Sequence, residues 1–370
     1  MSGRVRGLFV LSDKLESPPR LGLQVHLTSL VRAAAAHVPT RGFAWAAPSP
    51  DLPPGLVAVD PATAPAGNLA RKRHYLARAF EVVDREAAPG SVAWVRDWST
   101  AALALPGLRR RRRDGLVSLF DASSFQRLEV PYASGRAAAR LRGLAEELLW
   151  TRFDRVRTLN GPMRDYLVAH GVPAERILVV PVGAELPAEG WRPRAAAWRL
   201  LYVGSALAWQ GLPDLVGAMR VIERRAPQVL LSVAGPSPAE LAALDPPGNV
   251  VGLGRVPHDG IGRVYLDHDL LVLSRPRTPL TEIVTPMKIP EAMAHGMPIL
   301  STDLEAIRWV TGDDGAFLVR GTGPEELAGA LLSALADPAA LAATGARARA
   351  RAARFAWDEI GRTIARELFA

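Results

Sequence analysis

Short continuous apolar runs alternate along the chain with longer amphipathic stretches. In the first third the runs VRGLFVL, GFAWAA, SVAWV and LVSLF are unbroken rather than alternating, which marks strands buried on both faces of a parallel sheet. Around them, LGLQVHLTSLVRAAAAH and ASGRAAARLRGLAEELLWTRF are rich in alanine, leucine and arginine and space their apolar residues as helices do. The pattern pauses in the proline- and glycine-rich stretch Val179–Trp198. It then resumes with RLLYVG, VLLSVAG, NVVGLG, DLLVLS, MPILST and GAFLV, and ends in a helical tail with a break near Phe355–Asp358. The prediction is an α/β protein of two doubly wound parallel-sheet domains. Their bounds are read as 1–183, a linker at 184–198, 199–354, and a terminal helix 355–370 packing back on the first domain.

Length supports two domains, since 370 residues exceed the roughly 250–300 at which one core stops growing. Composition, with 49% hydrophobic and 22% charged residues, is that of ordinary globular protein. The absence of cysteine excludes disulfides and thiolate metal sites and favours a reducing cytoplasm. The apolar run Gly7–Leu11 is too short for a signal peptide, and no stretch approaches the eighteen or so apolar residues of a membrane span. A cytoplasmic location is therefore expected. The net charge of +8 adds one element to this picture, because it gathers in the runs Arg109–Arg113 and Arg71–His74. Neither run is interleaved with aromatics and no nucleic-acid module is present, so nucleic acid is disfavoured as a partner. Peripheral contact with an anionic inner membrane face, or attraction of an anionic substrate, fits better.

In doubly wound sheets ligands gather at the carboxyl ends of the strands. Gly204 follows one such strand, and a helix near Pro213 would point its positive end at a phosphate. More chemistry lies in TEIVTPMKIPEAMAHGMPILSTD, residues 281–303. Here Pro286 is expected to open a helix, and Lys288 and Glu291, three apart, share one of its faces. Such a helix offers N–H groups and a mobile cation to a diphosphate, and a carboxylate to two neighbouring ribose hydroxyls. Surface pairing or the helix dipole explains either charge alone. Neither explains the whole string Glu282, Thr285, Pro286, Lys288, Glu291, Gly296 and Pro298.

The string EIVTPMKIPEAMAHGMPILSTD resembles the nucleotide-sugar-binding motif of GT-B fold glycosyltransferases, most closely the retaining family four (glycosyl transferases group 1). FDRVRTLNGPMRDYLVAHGVPAERILVVPVGAE, residues 153–185, is similar to that family's approach to its interdomain linker. LGLQVHLTSLV, with Gly22, is similar to its first glycine-bearing helix. The resemblance implies two Rossmann-like domains facing a central cleft. It implies transfer of a sugar from a nucleotide-sugar donor to an acceptor hydroxyl (small-molecule, lipid-linked or glycan) with retention of anomeric configuration, without metal or cofactor. By the same resemblance Glu291 holds the ribose, Glu282 contacts the donor sugar, and Lys288 with the amides around Thr285 and Pro286 cradles the phosphates. Where the family usually clamps the diphosphate with an arginine and a lysine, this chain has Ser205 and Gln210, so Lys288, Arg255 or Arg275 must supply the charge. It also has one residue more than usual between Glu282 and Glu291. Arg96, Asp97 and Asp121, which follow predicted strands, are the candidates for contacts with the acceptor.

Other chemistries find less support. Asp267-His268-Asp269 matches a metal-binding Asp-x-Asp, but its place before a buried strand predicts a turn. Zincin, nucleophile-elbow and phosphate-loop signatures are absent, and GLGRVP lacks the third glycine of a nicotinamide site. An epimerase or phosphorylase of the same fold, or a non-catalytic partner protein, is the alternative.

Overall fold

The computed structural model describes residues 4–17, 19, 22–129, 135–194 and 198–370. The apolar runs become parallel strands in two separate sheets, and the chain divides into two compact units. The first unit runs to Gly183 and includes Trp357–Ala370. Its strands are β1 (Leu8–Glu16), β2 (Thr40–Trp45), β3 (Leu56–Val59), β4 (Val92–Arg96), β5 (Val117–Asp121), β6 (Arg155–Thr158) and β7 (Ile177–Val179), in the order 3-2-1-4-5-6-7. The order reverses between β1 and β4, the place where such sheets open to ligands. Within this unit the helix Trp357–Phe369 sets Ile360 and Ile364 into the core beside Leu27, Leu30 and Leu178.

The second unit, Ala184–Ala356, holds β8 (Arg199–Val203), β9 (Leu230–Ala234), β10 (Val250–Gly254), β11 (Leu270–Leu273), β12 (Ile299–Thr302) and β13 (Phe317–Val319), in the order 10-9-8-11-12-13. Its order reverses between β8 and β11. Successive strand residues point to opposite faces, and each face has its own core. Leu200, Tyr202, Leu231, Val233 and Val272 pack with the helices Leu212–Arg225 and Pro324–Leu335. Leu201, Val203, Leu271 and Leu273 pack with Ile289 and Met293 of the helix Lys288–His295. This double burial is why the strands read as unbroken apolar runs.

Much of the stretch read as linker folds with the second unit. Trp191 Nε1 donates to the His268 carbonyl (2.7 Å), while Arg194 binds Asp269 (2.6 Å) and the Leu266 carbonyl (2.7 Å). Residues 195–197 of that stretch lie outside the described residues. Asp269 also accepts from the backbone N–H groups of Trp198 and Arg199 (3.0 and 2.9 Å), so the Asp-x-Asp sequence forms the turn from the helix His258–Leu266 into β11. Among the described residues no group of three metal-ligating side chains comes together, and no single helix is long and apolar enough to cross a membrane.

At the β8/β11 reversal the two following loops touch through backbone. Gly211 has φ +82°, and a Cβ there would lie 1.9 Å from the Ser274 carbonyl oxygen. Gly211→Ala is therefore expected to cost about 1–3 kcal/mol from its left-handed backbone alone, with the displaced loop adding to it. Urea denaturation measures the loss, and an unchanged midpoint would mean that the loops do not meet this closely.

Candidate active site

Three loops converge at the β8/β11 reversal, and a buried arginine ties them. Arg275, 3% exposed, directs Nη2 and Nε to Gln210 Oε1 (2.7 and 3.1 Å), Nη1 to the Val284 carbonyl (3.0 Å), and its plane over Trp209 (4.9 Å to the ring centroid). It thus joins the loop after β8 to the segment leading into the motif. Gln210 therefore turns its amide oxygen to a guanidinium. Beside it, Tyr202 donates to the carbonyl of exposed Ser205 (2.7 Å) and fixes the turn at Gly204. Burial raises the Tyr202 pKa well above that of a free phenol, against the pull of Arg275, so it remains a donor.

The motif helix spans Lys288–His295 with Met287 as its N-cap, which corrects the expectation that Pro286 opens it. Pro286 lies one residue before the cap, buried, and its carbonyl accepts from Ile289 N (3.3 Å), while Pro290 occupies the first turn. Gly296, at φ +72°, ends the helix. Thr285 is buried just ahead of it.

Lys288 and Glu291 do share a face. Lys288 Nζ stands 3.5 Å from Glu291 Oε2, with the side chains 28% and 17% exposed. The same Oε2 accepts from Tyr265 Oη (3.0 Å), and Tyr265 is fully buried at the end of the helix His258–Leu266. Burial first, and the Glu291 carboxylate second, hold the Tyr265 pKa far above its usual value, so it donates at every working pH. Among the described residues Glu291 Oε1 accepts no hydrogen bond. One carboxylate oxygen is thus held by Tyr265, and the other accepts no hydrogen bond among the described residues, beside a lysine whose side chain is 28% exposed.

The remaining candidates lie apart from this pair. Glu282 accepts from Arg277 and from the Glu305 backbone N–H (2.9 Å), so it anchors the start of the helix Glu305–Thr311. Arg255 is exposed after the edge strand β10, which β9 separates from β8, and its charge acts on Glu240.

In the first unit Gly22 opens the helix Gly22–Ala35. Asp97 caps the helix Trp98–Arg111 from a left-handed backbone (φ +75°), accepting from Ser99 N (2.9 Å) and Thr100 N (3.2 Å). Lys72, from the basic run Arg71–His74, is turned inward between Asp13 (3.2 Å) and Asp97 (3.5 Å). Burial would raise the Asp97 pKa, but hydrogen bonds from Ser99 and the Lys72 charge hold it below the usual value. Asp121 is deeper: strand register aligns Arg96, Asp121 and Arg157 on β4, β5 and β6. Its oxygens accept from Arg157 Nη1 (2.9 Å), Trp94 Nε1 (3.2 Å) and Arg96 Nη1 (3.5 Å).

Sequence reasoning passed over Tyr265, Arg157, Asp13 and Lys72. Tyr265 sits at a core position of an amphipathic helix, where periodicity reads it as packing. A buried arginine in a four-residue strand has no local signal at all.

Comparison with known proteins gives matches at two levels. Residues 19–183 match the family model for a glycosyl transferase 4-like domain, and residues 197–337 match that for glycosyl transferases group 1. The chain belongs to the GT-B glycosyltransferases. Among solved structures, this glycosyltransferase is similar to sucrose-phosphate synthase from Thermosynechococcus elongatus, with 19% identity, 98% of each chain covered and a TM-score of 0.74. It is also similar to HepE of Anabaena in complex with UDP-glucose, with 15% identity, 99% of each chain covered and a TM-score of 0.74. No curated protein matches it. In the glycosyltransferase the loops around Gly204, Arg275 and Glu291 all fall within the group 1 match, and Asp97 and Asp121 within the 4-like match.

Proposed function

We propose that this glycosyltransferase binds a nucleotide sugar at the β8/β11 reversal of its second unit and transfers the sugar to an acceptor hydroxyl with retention of configuration. The observation that carries the reading is Glu291, oriented by buried Tyr265 and standing 3.5 Å from Lys288. In this reading Glu291 accepts from the ribose hydroxyls, and Lys288 with the backbone around Thr285 and Pro286 meets the diphosphate. As the bond from the anomeric carbon to the diphosphate breaks and that to the acceptor oxygen forms, negative charge grows on the leaving group. Lys288 and the amino end of its helix oppose that charge without a metal ion. Glu282, held by Arg277 and the Glu305 amide, is the pre-oriented contact to the donor sugar. Asp97 is the acceptor contact on the first unit, whereas Asp121 supports the strands behind it.

Glu291→Gln is expected to weaken binding of the nucleoside diphosphate by roughly 1.5–3 kcal/mol, because it removes a charged acceptor from two hydroxyls while keeping an oxygen for Tyr265. Calorimetry with UDP, and with UDP-glucose as the ligand of the HepE structure, is the first measurement. Unchanged affinity would overturn the ribose assignment. Retention is checked by the anomeric configuration of the product.

A second reading rests on Ser205 and Gln210, which leave the loop after β8 without charge, and on Arg275, which is buried against Gln210. In that case the protein holds a nucleotide sugar as a non-catalytic partner and turns over no donor. An epimerase or phosphorylase would instead convert the donor with no acceptor present, the phosphorylase requiring inorganic phosphate.

Peripheral contact with an anionic membrane belongs to the same proposal. The structure divides the basic runs: Arg111 binds Asp84 (2.5 Å) and covers Phe80, and Lys72 is buried, whereas Arg109, Arg110 and Arg113 are exposed.

A further inference from the structure

The helix Arg136–Trp150 carries two opposed faces. Ala139, Gly143, Glu146, Leu149 and Trp150 are turned inward, and Gly143 lets the helix close on Arg127, where a Cβ would stand 2.8 Å from the Arg127 Cβ. On the outer face Leu141, Leu144 and Leu148 are 73%, 54% and 59% exposed. They repeat at the spacing that forms one stripe on a helix. Arg140 and Arg142 are exposed beside them. At the carboxyl end, Asp154 binds Arg112 (2.9 Å), and the helix packs against Trp98–Arg111. Arg112 belongs to the run Arg109–Arg113, of which Arg109, Arg110 and Arg113 are exposed.

We infer that this outer face is the surface by which the protein lies on an anionic lipid bilayer. The inference rests on the proposed membrane contact of the basic run and adds to it the apolar element that enters the bilayer. A helix of this kind buries leucines at the boundary of headgroups and acyl chains, while arginine stems reach back to lipid phosphates. The mixture of residues selects this occupant over a second copy of the chain. Two such faces would bring arginines of like charge together, whereas an anionic surface complements them. Three exposed leucines satisfy the apolar half, and clustered arginines the electrostatic half, of the two signals that stable peripheral anchoring takes.

Flotation of the full chain with vesicles of phosphatidylglycerol and phosphatidylcholine, against phosphatidylcholine alone, tests the inference. The parent protein is expected to float with anionic vesicles at low salt and to be released by high salt. The triple variant Leu141→Ser, Leu144→Ser, Leu148→Ser should partition about tenfold or more less well, with its melting temperature and UDP affinity unchanged. Leu141→Asp alone, at the most exposed position, should shift partition in the same direction and guards against a folding defect in the triple variant. Arg109→Ser, Arg110→Ser, Arg113→Ser should weaken binding and flatten its salt dependence. If the leucine variants float as the parent does, the helix is not part of the contact and the basic run acts alone. If the parent ignores anionic vesicles at low salt, both the helix and the basic-run readings fail. Should sedimentation show a parent dimer that the leucine variants convert to monomer, the face is a self-interface and the inference is overturned. UDP binding, read separately, reports on the Glu291 assignment whatever the vesicles show.

Discussion

Lys288→Ala is expected to lower kcat by roughly 10²–10³ with a much smaller change in KM, the effect of removing one preorganised group from a developing negative charge. Among the described residues, few cations are free to meet a diphosphate at the β8/β11 reversal. Ser205 and Gln210 are neutral, and Arg275 is buried against Gln210, the Val284 carbonyl and Trp209. Lys288 is 28% exposed, and Glu291 is its ion-pair partner among the described residues. Charge on a departing diphosphate grows between ground and transition state, so the loss falls on turnover. Fold stability should hardly change, because a partly exposed pair at 3.5 Å contributes at most about 1 kcal/mol. Steady-state kinetics with UDP-glucose, or whichever donor proves active, makes the measurement. A raised KM with unchanged kcat would confine Lys288 to ground-state binding.

A second large effect is expected in the first unit, and it concerns stability. Asp121→Ala should cost roughly 3–5 kcal/mol, because it leaves the Arg157 guanidinium, wholly buried, without its carboxylate. Replacing both together, Asp121→Leu with Arg157→Met, should recover most of that loss, since an isosteric apolar pair leaves no buried charge. The pH dependence has a definite sign. Burial pushes the Asp121 pKa up, but Arg157 and then Arg96 outweigh it and hold the carboxyl below its usual value. A carboxyl depressed in the folded state contributes stability fully above its unfolded pKa of about 3.9 and loses it as pH falls through the folded value. The difference between the parent and Asp121→Asn in urea unfolding should therefore be constant from about pH 5 to 7 and shrink below about pH 4. A difference that grew on acidification would remove the carboxylate from the account.

Particular elements show how far the sequence reaches. The six strands of the second unit were all readable as apolar runs; in β8, β11 and β12 the run reflects burial on both faces, whereas the edge strand β10 keeps its apolar residues largely exposed. Lys288 and Glu291 were readable as a pair because helical spacing alone puts residues three apart on one face. In the first unit β3, β6 and β7 were not read as strands. β6, moreover, reads Arg-Val-Arg-Thr, a polar sequence for a strand paired on both sides. Arg157 is tolerated there because β5 sets Asp121 directly opposite, a choice made by register and invisible along the chain.

The same division runs through the candidate site. Sequence by itself determined two doubly wound α/β units, the motif helix and its two outward charges, since these follow from local spacing and hydrophobic period. Tertiary structure alone decided that Tyr265, 26 residues away, orients Glu291, and that Arg275, 65 residues from Gln210, is bound to it rather than open to a phosphate. It also turned Lys72 out of a basic run and into a buried carboxylate pair. The physical reason is common to all three. A charge or hydroxyl has no fixed partner until strand order and helix packing bring one within hydrogen-bonding distance, and only then does burial make that partner obligatory.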